Sequence, residues 1–110
     1  MAILNTAVTS ANTTIFTSTN NNAITTMIFC NTSTFVPATP TLNQSLLYVY
    51  AVPSGGTVGP GNIIVNGLPI PAGETVSFDQ EKIVLANGDF ISAKTDSLSN
   101  ITATVSTLAV

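Results

Sequence analysis

Apolar and polar residues alternate in short runs along most of this 110-residue chain, with turn-forming residues between the runs. In Ile101-Thr102-Ala103-Thr104-Val105-Ser106 the alternation is strict. Such a period of two predicts that Ile101, Ala103 and Val105 face a core while Thr102, Thr104 and Ser106 face out. Good helix formers are sparse, and Thr, Val, Ile and Asn dominate, residues that suit a pleated strand better than a helix. The pattern predicts strands over 4–8, 14–18, 24–31, 46–52, 63–66, 75–79, 83–85, 89–94 and 101–108. Over 24–30 one face carries Ile24, Thr26, Ile28 and Cys30 and the other carries Thr25, Met27 and Phe29, so cover on both faces is expected. Seven to nine short strands in one domain fit an all-β, two-sheet sandwich of immunoglobulin-like or jelly-roll-like kind. The Cys–Trp–Cys framework of antibody domains is absent, and there is neither an internal repeat nor a composition shift that would mark a second domain.

Two Asn-Gly pairs punctuate the pattern. Asn87-Gly88, set between Ile83-Val84-Leu85 and Phe90-Ile91, predicts a two-residue hairpin. Asn66-Gly67 is followed by Pro69 and Pro71, which cannot donate ladder hydrogen bonds, so that stretch is expected at a sheet edge or in a crossing loop. Pro71-Ala72-Gly73-Glu74 reads as a turn into the next strand. Two longer loops, 31–45 and 53–62, flank the apolar run 46–52. Long loops in compact domains are disproportionately functional, and the alternative is a plain crossing between two sheets. Phe35-Val36, an apolar pair in a polar loop, either tucks under that loop or anchors a partner.

Charge changes this picture most. From Met1 to Gly73 there is no Asp, Glu, Lys, Arg or His, and all charged side chains fall between Glu74 and Asp96. Soluble monomers ordinarily spread mixed charges over their surface. Here Thr, Ser and Asn take that place, and such a surface can be buried against a neighbour without the cost of dehydrating ions. The composition therefore points to a subunit of an assembly. The net charge of −3 and the absence of Arg leave Lys82 and Lys94 as the only cationic side chains, too few for a nucleic-acid footprint. No basic, then apolar leader is visible at the start, and the longest apolar run, 46–52, is far short of the ~20 residues a membrane helix needs. The expectation is synthesis in the cytoplasm with no membrane partner.

Chemistry is sparse. Without His, a Ser/His/Asp arrangement cannot be built and Cys30 lacks the usual base, so Cys30 is expected to be a buried structural residue. The acidic cluster Asp79-Gln80-Glu81 has neither the ligand number nor the spacing of a calcium loop, and Lys82 adjoins it; a strand end or single helical turn over 79–82 is expected. The acids crowd one short segment and Trp is absent, which argues against a glycosidase. The glycines of 55–61 do not open a helix, so they predict no phosphate cradle. Sequons at Asn12, Asn31, Asn43 and Asn100 are no more than this Asn-, Ser- and Thr-rich composition yields by chance. Tyr48 and Tyr50 share one strand face; such a pair either stacks sugars or bases or forms half-buried sheet packing, the commoner role. No metal, cofactor or catalytic residues are assigned, and the chain is expected not to be an enzyme.

The order of certain segments carries a resemblance. Ala23-Ile24-Thr25-Thr26-Met27-Ile28-Phe29-Cys30-Asn31 is followed by Tyr50-Ala51-Val52-Pro53-Ser54-Gly55-Gly56 and Pro71-Ala72-Gly73-Glu74-Thr75. Then come Glu81-Lys82-Ile83-Val84-Leu85-Ala86-Asn87-Gly88-Asp89 and Ile101-Thr102-Ala103-Thr104-Val105. Over nearly its whole length the chain resembles small structural proteins of tailed bacteriophages, notably of cyanobacterial and marine phages. The shared motifs are turns and strands, not a catalytic signature, and the 31–45 loop is longer than the family pattern. The resemblance implies a non-enzymatic virion component with a β-sandwich fold, a class that includes capsid decoration (cement) proteins and tail, neck or baseplate accessories. A decoration protein would contact the major capsid protein and form a homo-oligomer, with a trimer expected. The candidate contact residues are Ile3, Leu4, Phe35, Val36, Pro37 and Leu42, and residues 1–10 are a candidate inter-subunit arm. A host-glycan-binding module is a third reading, and it requires Tyr48, Tyr50 or Phe35 exposed beside polar loops.

Overall fold

In the computed structural model, which describes residues 2–79, 83–96 and 100–110, nine strands form two antiparallel sheets packed face to face. The strands are β1 (Ala2–Val8), β2 (Thr13–Thr17), β3 (Asn22–Asn31), β4 (Ser45–Val52), β5 (Ile63–Ile70), β6 (Thr75–Phe78), β7 (Ile83–Leu85), β8 (Phe90–Thr95) and β9 (Ile101–Ala109). Sheet I has the order β1-β9-β3-β6. β3 is long enough to take two partners on one side, β6 along Met27–Cys30 and β7 along Asn22–Ile24. Sheet II has the order β2-β8-β4-β5. The fold is the expected all-β sandwich. The acidic stretch expected as a turn over 79–82 lies, apart from Asp79, outside the described residues.

The core forms where the inward-facing residues of both sheets meet. Sheet I contributes Val8, Ile24, Met27, Phe29, Ile101, Ala103 and Val105, and sheet II contributes Leu47, Val49, Ile91 and Ala93. β9 behaves as its alternation demands: Ile101, Ala103 and Val105 are buried, while Thr102, Thr104 and Ser106 are half-exposed. Phe29 meets Phe78 edge-on, ring centroids 6.0 Å apart at 73°, a geometry that adds about 1 kcal/mol beyond the area buried.

Bulges account for most departures from simple alternation. β3 does not keep one phase: its register with β9 slips between Ile24 and Thr26. Thr25 is the extra residue, and its hydroxyl donates to the Ser106 carbonyl at 3.1 Å. An inserted residue shifts the pleat by one. Ile24 therefore shares the core face with Met27 and Phe29, not the outer face with Ile28 and Cys30. Cys30 is accordingly not a core residue as expected; it is half-buried on the outer face of sheet I, opposite Thr75 and Thr102.

Asn66-Gly67 is likewise a bulge, not a turn. Leu47 pairs with Leu68 and Tyr48 with Asn66, leaving Gly67 over, at a φ of 76° that glycine adopts without strain. The strand runs on to Ile70 through Pro69, which is tolerated because β5 is the edge of sheet II.

Asn87-Gly88 does turn the chain, with the Asp89 amide donating to the Ala86 carbonyl, but it makes no hairpin. β7 belongs to sheet I and β8 to sheet II. The local signal specified a reversal; the three-residue β7 found its partner in β3 instead of β8. Among the described residues β4 and β5 are the only consecutive strands paired with each other, so the remaining ladders join segments distant in sequence.

Candidate functional site

The six candidate contact residues are all exposed, and they fall at opposite ends of the sandwich. Ile3 and Leu4 start β1, which pairs with the end of β9. Phe35, Val36, Pro37 and Leu42 lie in the loop after β3, beyond the end where Asn31 pairs with Ile101, the first residue of β9. The domain measures 48 Å along its longest axis. Residues 2–8 pair along their whole length with β9 of the same chain.

Around Ile3 the fold gathers residues that sequence reasoning missed. Val84 pairs with Ala23, and Ala23 pairs with Leu108, so the three form one row across the outer face of sheet I. Ile3 lies on the same face, opposite Ser106. Exposure is 70% for Ile3, 67% for Val84 and 44% for Leu108. Farther along this face the rows mix polar with apolar residues and carry no charge: Asn5, Thr104, Ile28 and Ser77, then Ala7, Thr102, Cys30 and Thr75. The Thr104 hydroxyl donates to Asn5 Oδ1 at 2.8 Å. The apolar row was not legible beforehand because Val84 and Leu108 meet only through Ala23, far from both in sequence.

At the other end, a network of amides fastens the Phe35 loop. Asn31 is 1% exposed. Its Nδ2 donates to the carbonyls of Asn43 and Ile70, both at 2.9 Å, and its Oδ1 accepts from the Ser33 amide at 3.0 Å. Asn100 Nδ2 reaches Ser33 Oγ and the Asn43 carbonyl, while Ser45 Oγ donates to Asn100 Oδ1. Two of the four sequon asparagines thus serve as braces. Gly73 packs beside Phe35 at a φ of 78°, which glycine adopts without strain. With the base held this way, Phe35 (45% exposed), Val36 and Leu42 face out instead of tucking under.

The outer face of sheet II carries a cleft of about 480 Å³. Its floor is a row across β8, β4 and β5, with Asn12 just before β2 beside it. Tyr48 pairs with Lys94 on one side and Asn66 on the other, and Asn12 precedes Thr13, the partner of Ala93. The wall is the 53–62 loop, through Val58, Gly59 and Pro60. Asn62 stiffens that loop: Oδ1 accepts from the Gly59 amide at 3.1 Å and Nδ2 donates to the Thr57 carbonyl at 2.9 Å. Tyr50 is 7% exposed beside this wall, so it is packing, as the commoner role of such a pair predicts. Tyr48 is half-buried, with Gly67 close to its ring and the Lys94 ammonium 5.4 Å from the ring centroid.

Among the described residues, no three His, Cys, Asp or Glu side chains are grouped to hold a metal ion, and no helix is long and apolar enough to cross a membrane. The chain matches no family model, no curated protein and no solved structure.

Proposed function

We propose that the protein is a structural component of a phage virion, a capsid decoration protein that docks on the major capsid protein where subunits meet. The observation that supports this reading best is the row Val84, Ala23 and Leu108 with Ile3, an exposed apolar patch set at the end of an uncharged sheet face. Exposed clusters of this kind rimmed by polar residues mark interaction surfaces. A second apolar group, Phe35, Val36 and Leu42, lies at the far end of the strands, which suits a clamp that touches two neighbours at once. Among the described residues no charged side chain stands within either group, although Asp89 lines a hollow beside Val84, so docking dehydrates chiefly hydroxyls and methyls. Binding only the expanded shell stabilises it by mass action, and many copies offset a modest contact per copy.

The test is binding of the purified protein to expanded, undecorated shells of the phage that encodes it, followed by copy counting. Saturable binding at a copy number on the scale of the capsid lattice, lost in Val84→Ser/Leu108→Ser, is the expected result. A stoichiometry matching the tail symmetry would move the protein to the neck, tube or baseplate. Absence from intact particles would remove the virion role altogether.

A further inference from the structure

We propose that the cleft on the outer face of sheet II binds a carboxylated saccharide, with Lys94 taking the carboxylate and Asn12 and Asn66 taking ring hydroxyls. The cleft lies on the opposite face of the sandwich from the apolar row of sheet I, and it goes beyond the virion role.

Three observations carry the proposal. The first is electrostatic. The protein has a net charge of −3, yet among the described residues no acidic side chain lines this cleft and Lys94 is its one cation. An ammonium in a concavity free of carboxylates favours an anionic group on the ligand. The second is the spacing of the polar groups. Lys94, Tyr48 and Asn66 stand in one row on three adjacent strands, and Asn12, just before β2, lines the same cleft. With strands about 4.8 Å apart, that row spans roughly 10 Å without Asn12, more than a simple carboxylic acid covers. Each carboxamide offers both donors and an acceptor, the pairing that neighbouring sugar hydroxyls require. The third is preorganisation. The Asn62 bonds fix the wall, and Tyr48 holds Lys94 by its ring face, so little ordering remains for a ligand to impose. The cleft volume, about 480 Å³, lies in the range of small-ligand sites. Both tyrosine rings are committed, one to packing and one to Gly67 and Lys94, so recognition runs through hydrogen bonds and charge instead of ring stacking.

The experiment titrates the isotopically labelled full chain with glucuronate, N-acetylneuraminate, glucose and acetate while amide NMR shifts are followed. Saturable shifts confined to Asn12, Tyr48, Gly59, Asn66 and Lys94 are expected with at least one of the two acidic sugars. Glucose and acetate are expected to bind at least about tenfold more weakly, and added salt to weaken the acidic sugar further. Lys94→Gln should weaken the acidic sugar about tenfold or more without shifting the core resonances. Asn66→Ala should weaken it on its own, which keeps the test intact should the lysine variant misfold. Absence of a saturable shift at millimolar acidic sugar, equal affinity for acetate or glucose, or unchanged affinity in both variants would each overturn the proposal.

Discussion

Two long loops leave opposite ends of β4, and they are held in different ways. The loop between β3 and β4 is fastened from beneath by framework residues, Asn31 and Asn100, whose amides reach up to the Asn43 carbonyl and to Ser33. The loop between β4 and β5 is braced mostly by its own Asn62 and tied down at one point, where the Ser54 amide donates to Asp89 Oδ1 at 2.8 Å. The first arrangement uses the polar groups at the base and leaves Phe35, Val36 and Leu42 to face solvent. The second folds the loop back toward sheet II, where it walls a cleft. Two uncharged loops thus make a protrusion in one place and a cavity in the other, and the position of the bracing side chains separates them.

The difference can be broken most severely at Asn31. Asn31→Ala removes three hydrogen bonds and leaves buried backbone groups unpaired, with an expected loss of about 3 kcal/mol. For a domain of this size that lowers Tm by roughly 15 °C, measurable by calorimetry. A loss under about 1 kcal/mol would show that the loop is not held by this network.

At the opposite end Gly88→Ala is expected to cost about 2 kcal/mol. Gly88 has a φ of 89°, and a Cβ there would run into Ser54 Oγ, displacing the start of the second loop. Urea denaturation gives the number, and the cleft residues should show shifted amide resonances.

Asp89→Ala is smaller, about 1 kcal/mol, because the carboxylate is partly solvated. It removes the acceptor for the Ser54 and Ala86 amides. Hydrogen exchange should quicken at those two amides and stay unchanged at Ser33, since the two loops are braced independently. Quickening at both loops would instead join them into one cooperative unit.

The smallest stability effect belongs to Phe35→Ser, within about 0.5 kcal/mol, because its ring is largely outside the core. On the proposed function it should nonetheless weaken attachment to shells. A stability loss above about 1 kcal/mol would mean that Phe35 packs on its own domain instead of serving a partner.

Strand positions were highly legible. The alternation in β9 and the apolar run in β4 each name their element, because a pleat exposes every second residue whatever it pairs with. The absence of charge before Glu74 was equally legible, and it bears on surface chemistry whichever way the sheets are arranged. The Asn87-Gly88 signal was real as local geometry and misleading as topology, while the Asn66-Gly67 stretch does lie at a sheet edge as expected. Asn87-Gly88 turns between sheets and Asn66-Gly67 is a bulge, because a tight turn or a positive φ is a property of a few residues whereas a ladder is a property of two distant segments. Of the candidate contacts, Phe35, Val36 and Leu42 were visible as apolar residues in a polar loop. Val84 and Leu108 were not, and neither was the gathering of Asn12, Lys94 and Asn66 beside Tyr48.

The chain by itself determined where its strands lie, which residues of most of them face inward, and that the surface over two thirds of its length is uncharged. These follow from short-range periodicity and from composition. Tertiary structure alone decided the phase of β3, through the bulge at Thr25, and with it the outer position of Cys30. It also decided which strands are neighbours, and so which side chains share the apolar row of sheet I and the polar row of sheet II. Neighbourhood in a sandwich is set by long-range burial of apolar faces and closure of backbone hydrogen bonds. No window of sequence contains both partners of such a pairing.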